Sequence, residues 1–175
     1  MWSQDLYTAA SRFAAVAHAG QHVPATGLPY LLHVTLVAME VSAALRAEPG
    51  HDEDLAMQCA LLHDTIEDTA VTFEQLEATF GRPVADGVLA LTKDERLPKA
   101  EQMPDSLRRI REQPREIWLV KLADRIVNLQ PPPKHWTRDR IEAYKAEART
   151  ILATLGPASP FLAARLAEKI EAYGA

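Results

Sequence analysis

The sequence predicts an all-α protein that folds as a single domain over residues 1–175. Apolar residues recur three and four positions apart along most of the chain, beginning with Leu6, Ala10 and Phe13, and this is the period of an α-helix. Prolines and glycines interrupt the pattern where helices are expected to begin and end. No stretch shows the strict alternation of apolar and polar residues that predicts a strand. These observations together indicate about eight to ten helices around one core.

The N-terminal half has clear helix boundaries. The pattern predicts helices over 3–19 and 29–46, a third that begins at Asp52 and carries residues 60–69, a fourth over 72–81 and a fifth over 83–92. Pro29 fits the first helical position, where its missing N–H would have no partner anyway. Thr72 and Gln75 have the spacing of a capping box. Gly81 follows the fourth helix, where glycine commonly ends one.

Prolines divide the C-terminal half. Residues 93–104 are polar and contain two prolines, which predicts a long loop, followed by a short helix over 106–111. Pro114 opens a helix that extends to Leu129 and is stopped by the prolines at 131–133. Thr137 is placed to cap a helix to about Leu155. Ser159 and Pro160 then begin the last helix, which runs to about residue 173.

Composition and charge exclude several classes of protein. The 175 residues are 47% hydrophobic and 25% charged, as in a globular domain with a sizeable core. The net charge of −5 argues against binding to DNA or RNA polymers, but it allows a small phosphorylated ligand. No apolar run reaches the ~20 residues that span a bilayer, and no secretory signal is recognisable, so we expect no membrane association. Cys59 is the single cysteine, which suits a reducing cytoplasm.

Four ionisable residues follow the apolar run that starts at Ala60, as the pairs His63-Asp64 and Glu67-Asp68. Residues four apart share a helix face, so a continuous helix would place His63 over Glu67 and Asp64 over Asp68. The second pair would lie about 6 Å further along the axis. The simple alternative for these four residues is a solvated acidic cluster at a helix end with an incidental histidine.

Three more polar side chains interrupt apolar helical faces, namely His33, Asp124 and Asn128. A lone histidine in such a place is more often a hydrogen-bonded core residue than a ligand. Asp124 needs a partner inside its apolar run, and its neighbour Arg125 faces elsewhere on the helix. Asn128 lies one turn after Asp124, where a plain amide near a helix end is the alternative.

Two imidazoles and two carboxylates make a mixed nitrogen and oxygen metal site. The candidate ligands are His33, His63, Asp64 and Asp124. This set suits Mn²⁺, Fe²⁺, Zn²⁺ or Mg²⁺, and the absence of thiolates argues against a structural zinc site. A metal with an open position polarises a phosphoryl oxygen and acidifies water. Glu67 and Asp68 would then orient and deprotonate the water or protonate the leaving group, which indicates hydrolysis of a phosphate ester or anhydride.

This order of histidines and aspartates resembles the HD superfamily of metal-dependent phosphohydrolases. The segments 27–33, 63–69, 80–81, 91–93 and 120–125, with Asn128, look like the hydrolase domain of RelA/SpoT proteins. The chain length and Leu97-Pro98-Lys99, with Trp136, Arg140 and Tyr144, are most similar to the stand-alone small alarmone hydrolases, the metazoan SpoT homologue among them. The resemblance covers nearly the whole chain.

The resemblance implies an HD-domain fold and Mn²⁺-dependent removal of the 3′-pyrophosphate from the nucleotides ppGpp and pppGpp. The four candidate ligands match the family's metal ligands, and Glu67 and Asp68 match its catalytic acid pair. Asn128 matches a position near the nucleotide sugar. Lys99, Arg140 and Tyr144 match positions on the substrate side; their ordinary alternatives are a solvated loop lysine, a surface arginine and a half-buried tyrosine.

One loop departs from the family pattern. Family members usually carry an Arg-Lys pair after the glutamine that corresponds to Gln21, with the arginine on the guanine and the lysine facing phosphate. Here residues 22–26 form a loop that is apparently one residue shorter and contains no arginine or lysine. Two alternatives to alarmone hydrolysis therefore stay open. One is an HD hydrolase acting on another phosphorylated nucleotide, and the other is a non-catalytic helical module that binds a nucleotide.

Overall fold

The computed structural model describes residues 2–24 and 26–174, and in these residues it is all-α as the sequence predicts. It contains ten α-helices, within the expected number, and no strand in the described part; an isolated bridge joins His22 to Pro29. The helices are α1 (Gln4–Ala17), α2 (Leu31–Ala47), α3 (Glu53–Leu62), α4 (Thr65–Asp68), α5 (Phe73–Phe80), α6 (Arg82–Leu91), α7 (Lys99–Arg111), α8 (Arg115–Asn128), α9 (Arg138–Leu155) and α10 (Pro160–Ala172). A 3₁₀ turn at Gly156–Ala158 separates the last two.

Helices α3 and α8 form the centre of the molecule. Every residue from Leu55 to Leu62 on α3 is buried, and so is every residue from Glu116 to Val127 on α8 except Trp118. Helix α3 packs against α1, α2, α6 and α8, while α8 also contacts α9 and α10. A helix that is apolar on all sides has to be surrounded in this way. Polar side chains at the ends of α3 and α8 are therefore held in a rigid, largely dry environment.

Helix α2 lies beside this central pair. Its inner face buries Val34, Val37, Ala38 and Val41. The middle of α2 is joined to α10 by Glu40, which is 3% exposed and accepts hydrogen bonds from Arg165 Nε and Nη2 at 2.5 and 2.6 Å. In the described part of the chain, no helix is both long and apolar enough to cross a membrane.

Several helix starts agree with the sequence prediction. The capping box of α5 is present, with reciprocal bonds between Thr72 and Gln75. The hydroxyls of Thr137 and Ser159 accept backbone N–H groups at the starts of α9 and α10. Such bonds satisfy donors that have no partner within the helix, and each is worth about 1 kcal/mol.

The loop predicted over 93–104 is wrong in its second half, because α7 begins at Lys99 and contains Pro104. A proline inside a helix removes one backbone hydrogen bond and normally breaks the helix. Here tertiary contacts offset that cost. Arg109 donates to the carbonyl oxygens of Leu89 and Thr92 at 2.6 and 2.7 Å, and Ser106 donates to Ala90 at 3.2 Å, so α7 is docked on the end of α6.

Candidate metal and catalytic site

The segment 60–69 is not the continuous helix that the sequence predicts. Helix α3 ends at Leu62, His63 and Asp64 form a turn, and α4 starts at Thr65. Asp64 has φ −100° and ψ 0°, a bridge conformation in which many active-site residues are found. Thr65 supports the turn by donating its hydroxyl to Leu62 O at 2.7 Å. Adjacent side chains on a regular helix diverge by about 100°, whereas in this turn His63 and Asp64 face the same point.

Four side chains from distant parts of the chain meet at this turn. His63 Nε2 lies 2.9 Å from Asp64 Oδ2 and 3.3 Å from Nε2 of His33 on α2. His33 Nε2 also lies 3.4 Å from Asp64 Oδ2. Asp124 on α8 completes the cluster, since its Oδ1 is 3.5 and 3.8 Å from Nε2 of His33 and His63. His33, His63 and Asp64 are close enough together to hold one metal ion, and Asp124 lies beside them. That the four residues bind a metal stays a prediction.

The donor atoms of the cluster fit a divalent cation. His63 Nδ1 donates to Ala60 O at 2.9 Å, so in the neutral ring Nε2 carries the lone pair that faces the cluster. His33, His63 and Asp124 are 5%, 3% and 6% exposed. Two carboxylates this close, largely removed from water, need a compensating positive charge. A metal ion held by imidazole nitrogen and carboxylate oxygen supplies that charge.

The electrostatics of the cluster agree with a cation site. Burial lowers the pKa of His63, but Asp64 and Asp124 outweigh burial and raise it to about 10. Burial also lowers the pKa of His33, but Asp124 and Asp64 outweigh burial and raise it above its ordinary value. Burial would raise the pKa of Asp124, yet Lys121 and the two histidines hold it well below its usual range. The cluster therefore attracts a proton strongly, and a metal cation competes for the same place.

Three further side chains orient the carboxylates, and sequence reasoning did not assign them this role. Tyr30 donates its hydroxyl to Asp64 Oδ2 at 2.6 Å. Lys121 Nζ donates to Asp124 Oδ2 at 3.1 Å, and Asn128, which was a candidate, donates to Asp124 Oδ1 at 2.5 Å. The helical spacing of Lys121, three residues before Asp124, could have revealed its contact. The position of Tyr30 just before α2 gives no such signal.

Glu67 and Asp68 contact different neighbours beside the cluster. Glu67 Oε1 accepts from Lys93 Nζ at 2.6 Å, and its Oε2 accepts from the Lys93 backbone N–H at 2.9 Å. Asp68, which is exposed, accepts a hydrogen bond at Oδ2 from Gln21 Nε2 at 2.9 Å. Burial lowers the pKa of Lys93, but Glu67 chiefly, with smaller contributions from Asp124 and Asp64, raises it. Lys93 is thus a cation in direct contact with one member of the acidic pair.

The predicted substrate residues lie on the α7 and α9 side. Lys99 is exposed at the first residue of α7. The guanidinium of Arg140 lies 4.2 Å from the ring centroid of Trp136, which is 5.4 Å from the ring of Tyr144. The guanidinium of Arg125 also lies against this group, 4.4 Å from the ring centroid of Tyr144. Burial is the main cause that raises the pKa of Tyr144 to about 12; Arg125 opposes this shift, and Asp124 adds to it.

The loop over 22–26 is described except for Ala25, which lies outside the described residues. Val23 N donates to Leu28 O at 2.8 Å, and Tyr30 N donates to Gln21 O at 2.9 Å. The loop is therefore a narrow hairpin whose base lies next to both Tyr30 and Gln21.

Comparisons with known proteins agree with this geometry. A family model described as "HD domain" matches residues 10–160. The guanosine-3′,5′-bis(diphosphate) 3′-pyrophosphohydrolase MESH1 of Danio rerio is 39% identical over 138 residues, which are 75% of this chain and 74% of that protein. MESH1 of Xenopus tropicalis is 33% identical over 162 residues, 90% of this chain and 88% of that one.

Comparison with solved structures agrees with these sequence similarities. A solved structure described as a metazoan ortholog of SpoT that hydrolyses ppGpp superposes with a TM-score of 0.85 at 28% identity, covering 99% of this chain and 98% of that one. The family model spans the turn at His63, the α2 histidine and the α8 aspartate together. The chain therefore belongs to the HD domain family.

Proposed function

We propose that this protein is a divalent-metal-dependent phosphohydrolase that removes the 3′-pyrophosphate of guanosine-3′,5′-bis(diphosphate). The observation that carries the proposal is the convergence of His33, His63, Asp64 and Asp124, with Glu67 and Asp68 directly after the turn. The family and the relatives named above support the same reaction class.

In the proposed reaction, the oxygen of water attacks the phosphorus atom that is bonded to the 3′ oxygen. The bond between this phosphorus and the 3′ oxygen then breaks, and the 3′ oxygen takes a proton. The products are pyrophosphate and GDP. His33, His63, Asp64 and Asp124 would hold the metal, which when bound supplies positive charge for the phosphoryl group and acidifies water. A positioned acid-base pair contributes about 10² to 10⁴ in rate.

The hydrogen bonds of the acidic pair suggest how its members divide the work. Both oxygens of Glu67 accept hydrogen bonds from Lys93, which fixes the orientation of this carboxylate. Among the described residues, Asp68 accepts a hydrogen bond from Gln21 at Oδ2 and none at Oδ1, so Oδ1 is available to take the proton of the water. We assign Asp68 as the base and Glu67 as the group that orients water and substrate.

The substrate side of the proposal rests on cations and aromatic rings. Lys99 and Arg140 are exposed, and Asn128 offers an amide beside Asp124. The Arg140–Trp136–Tyr144 group offers a flat, cationic surface for a base or phosphate, and such contacts are worth about 0.5 to 2 kcal/mol. In this protein, that group would have to make the contacts with guanine and phosphate that the Arg-Lys pair makes in other family members.

We propose Mn²⁺ as the native ion. Two imidazoles with two carboxylates suit Mn²⁺, Fe²⁺ or Zn²⁺ better than Ca²⁺, which prefers oxygen ligands alone. Among these ions, the resemblance to the alarmone hydrolases favours Mn²⁺. Purified protein loaded in turn with Mn²⁺, Mg²⁺, Zn²⁺ or Fe²⁺ and given ppGpp should release pyrophosphate fastest with Mn²⁺. Release of single phosphate instead of pyrophosphate, or no turnover with any ion, would reject the assigned reaction.

A second candidate function is hydrolysis of a different phosphorylated nucleotide by the same metal site. The loop over 22–26 favours it, because it has no arginine or lysine to contact guanine or phosphate. A panel of nucleotides with and without a 3′-phosphate group, assayed at equal concentration, separates the two. The proposed substrate should have the highest kcat/KM, and another nucleotide in first place would select the alternative.

A further inference from the structure

A buried histidine outside the metal cluster is connected to the proposed base. His18, at the end of α1, is 4% exposed. Its Nδ1 lies 2.7 Å from Gln21 Oε1, and its ring lies 4.9 Å from the ring of Tyr30. In the described part of the chain, His18 Nε2 has no hydrogen-bond partner. The bond to Gln21 is therefore the one protein hydrogen bond of this ring.

The two hydrogen bonds of the Gln21 amide have a fixed direction. Oε1 can only accept, so His18 Nδ1 is the donor in this pair. Nε2 of the same amide can only donate, and it donates to Asp68 Oδ2 at 2.9 Å. A reversed amide would place its oxygen against the Asp68 carboxylate, and the bond to Asp68 would be lost, so the contact with Asp68 fixes the orientation of the amide.

Asp68 needs this support because of its position. It is the last residue of the short helix α4, and it is exposed. An exposed side chain normally samples several rotamers, and holding it in one orientation costs conformational entropy. Gln21 is only partly buried, whereas the His18 ring is enclosed and packs on Tyr30. The buried His18 ring thus restrains the Gln21 amide, and the amide restrains the exposed carboxylate of Asp68.

We infer that His18 is a positioning residue, which fixes the Gln21 amide so that Asp68 presents one carboxylate oxygen to Gln21 and the other to the reacting water. This inference rests on the proposed function. It predicts that kcat depends on a hydrogen-bond donor at the Nδ1 position, and that His18 affects kcat only through Gln21.

The test compares variants that keep or remove that donor. His18→Phe keeps an aromatic ring against Tyr30 but removes Nδ1–H, and we expect kcat to fall about tenfold with KM and bound metal unchanged. His18→Asn places an amide N–H near the Nδ1 position and should recover most of that loss. Gln21→Leu should lower kcat by a similar factor, and His18→Phe should have no further effect in the Gln21→Leu background.

A matched control is His51→Phe, because His51 also forms an Nδ1 hydrogen bond, to Glu116 at 3.3 Å, away from the acidic pair. We expect an unchanged kcat for this variant. Equal kcat in wild type and His18→Phe would overturn the inference, as would additive losses in the double variant or no recovery with His18→Asn. If wild type itself releases no pyrophosphate, the proposed function fails, and the spectroscopic test below still decides the hydrogen-bond direction.

Nitrogen-15 NMR of the histidine rings in the Mg²⁺-loaded protein gives a readout independent of turnover. We expect His18 in the Nδ1–H form, with that proton exchanging slowly in wild type and rapidly in Gln21→Leu. An Nε2–H ring in wild type would overturn the assigned direction of both bonds.

Discussion

The Nε2 atoms of His33 and His63 lie 3.3 Å apart, although the residues are thirty positions apart in the chain. His63 donates through Nδ1 to Ala60 O, so its Nε2 lone pair faces His33. Two bare nitrogens at this distance repel each other, and the nearby carboxylates add negative charge. A proton or a metal cation has to lie among them, which makes the metal content of variants the most direct test of the site.

Substitution of Asp64 should remove the metal, whereas substitution of Glu67 should leave it in place. Asp64→Ala deletes an oxygen that lies 2.9 Å from His63 Nε2, so metal content should fall from about one ion per chain to near zero. Glu67→Gln should retain the ion and lose about 10² to 10⁴ in kcat. Elemental analysis after gel filtration measures the first result, and pyrophosphate release measures the second.

Asp86→Asn is the control for these two variants, since Asp86 pairs with Arg82 on the surface of α6. It should keep both metal and rate. Equal metal in wild type and Asp64→Ala would contradict the ligand assignment, and an unchanged rate in a Glu67→Gln, Asp68→Asn double variant would contradict the roles of the acidic pair.

Removal of one hydroxyl should weaken the metal site without unfolding the protein. Tyr30→Phe deletes the donor that holds Asp64 Oδ2 at 2.6 Å. Burial, with Asp64, raises the pKa of Tyr30, so the phenol keeps its proton at all physiological pH values. Loss of a bond that orients a metal ligand typically costs about 10- to 100-fold in metal affinity. Titration against a competing chelator measures this loss; Tyr7→Phe, where the ring packs on Trp2, should leave affinity unchanged.

The Lys93–Glu67 pair predicts a pH-dependent contribution to stability. The pKa of Lys93 is raised above its ordinary value of 10.5 in the folded protein, against the effect of burial, because Glu67 is near. The folded state thus holds this proton more tightly than the unfolded state. The stabilisation is complete below about pH 10.5 and is lost as pH rises through the folded-state pKa.

Comparison of wild type with Lys93→Met isolates this effect from other alkaline titrations. The difference in free energy of unfolding, measured with urea, should be largest near neutral pH and should shrink at about pH 11 and above. A difference that stays constant over this range would contradict the assigned cause.

Sequence reasoning anticipated the fold and the meeting of four distant side chains, and the reasons are local. Capping residues such as Thr72, Thr137 and Ser159 form bonds within three residues, so their effect is readable from the chain. His33 and Asp124 could be selected because a polar side chain inside a buried helix requires a partner.

The features that sequence reasoning missed depend on tertiary contacts. The turn at His63-Asp64 was predicted as helix, because the spacing of the pairs His63-Asp64 and Glu67-Asp68 has a helical period. In the structure the side chains of His63 and Asp64 face the same point, which a regular helix does not allow. Lys93 and Tyr30 contact residues 26 and 34 positions away, and no local pattern reveals such distances. Metal binding and the substrate roles of Lys99, Arg140 and Tyr144 stay predictions.

Helix α7, of which the sequence predicted only residues 106–111, should depend on Arg109. Its guanidinium donates to carbonyl oxygens of Leu89, Ala90 and Thr92 and to Asp105. Arg109→Ala leaves these carbonyl groups at the end of α6 without their donor, and we expect a loss of about 1 to 2 kcal/mol in the free energy of unfolding.

Arg108→Ala on the same helix is the matched control for that loss. The Arg108 side chain is 61% exposed and pairs with Asp105 and Glu112, and such surface ion pairs contribute little. Urea denaturation of both variants should therefore show a clear difference. Equal losses would show that α7 is held by helix-surface charge and not by the bonds to α6.

The contact between α6 and α8 depends on the absence of a side chain at Gly87. A Cβ there would lie 2.5 Å from Ile117 Cδ1 and 3.0 Å from Cys59 Sγ, and Ile117 is fully buried. Gly87→Ala should therefore destabilise by about 1 to 3 kcal/mol through overpacking, partly offset by about 1 kcal/mol of better helix propensity. Ile117→Val removes the Cδ1 atom, so the same Gly87→Ala change should cost about 1 kcal/mol less in that background. Thermal or urea unfolding of the four proteins in this cycle measures the difference. Equal costs in both backgrounds would mean that the Cys59 sulfur on α3, and not the isoleucine on α8, opposes the added methyl group.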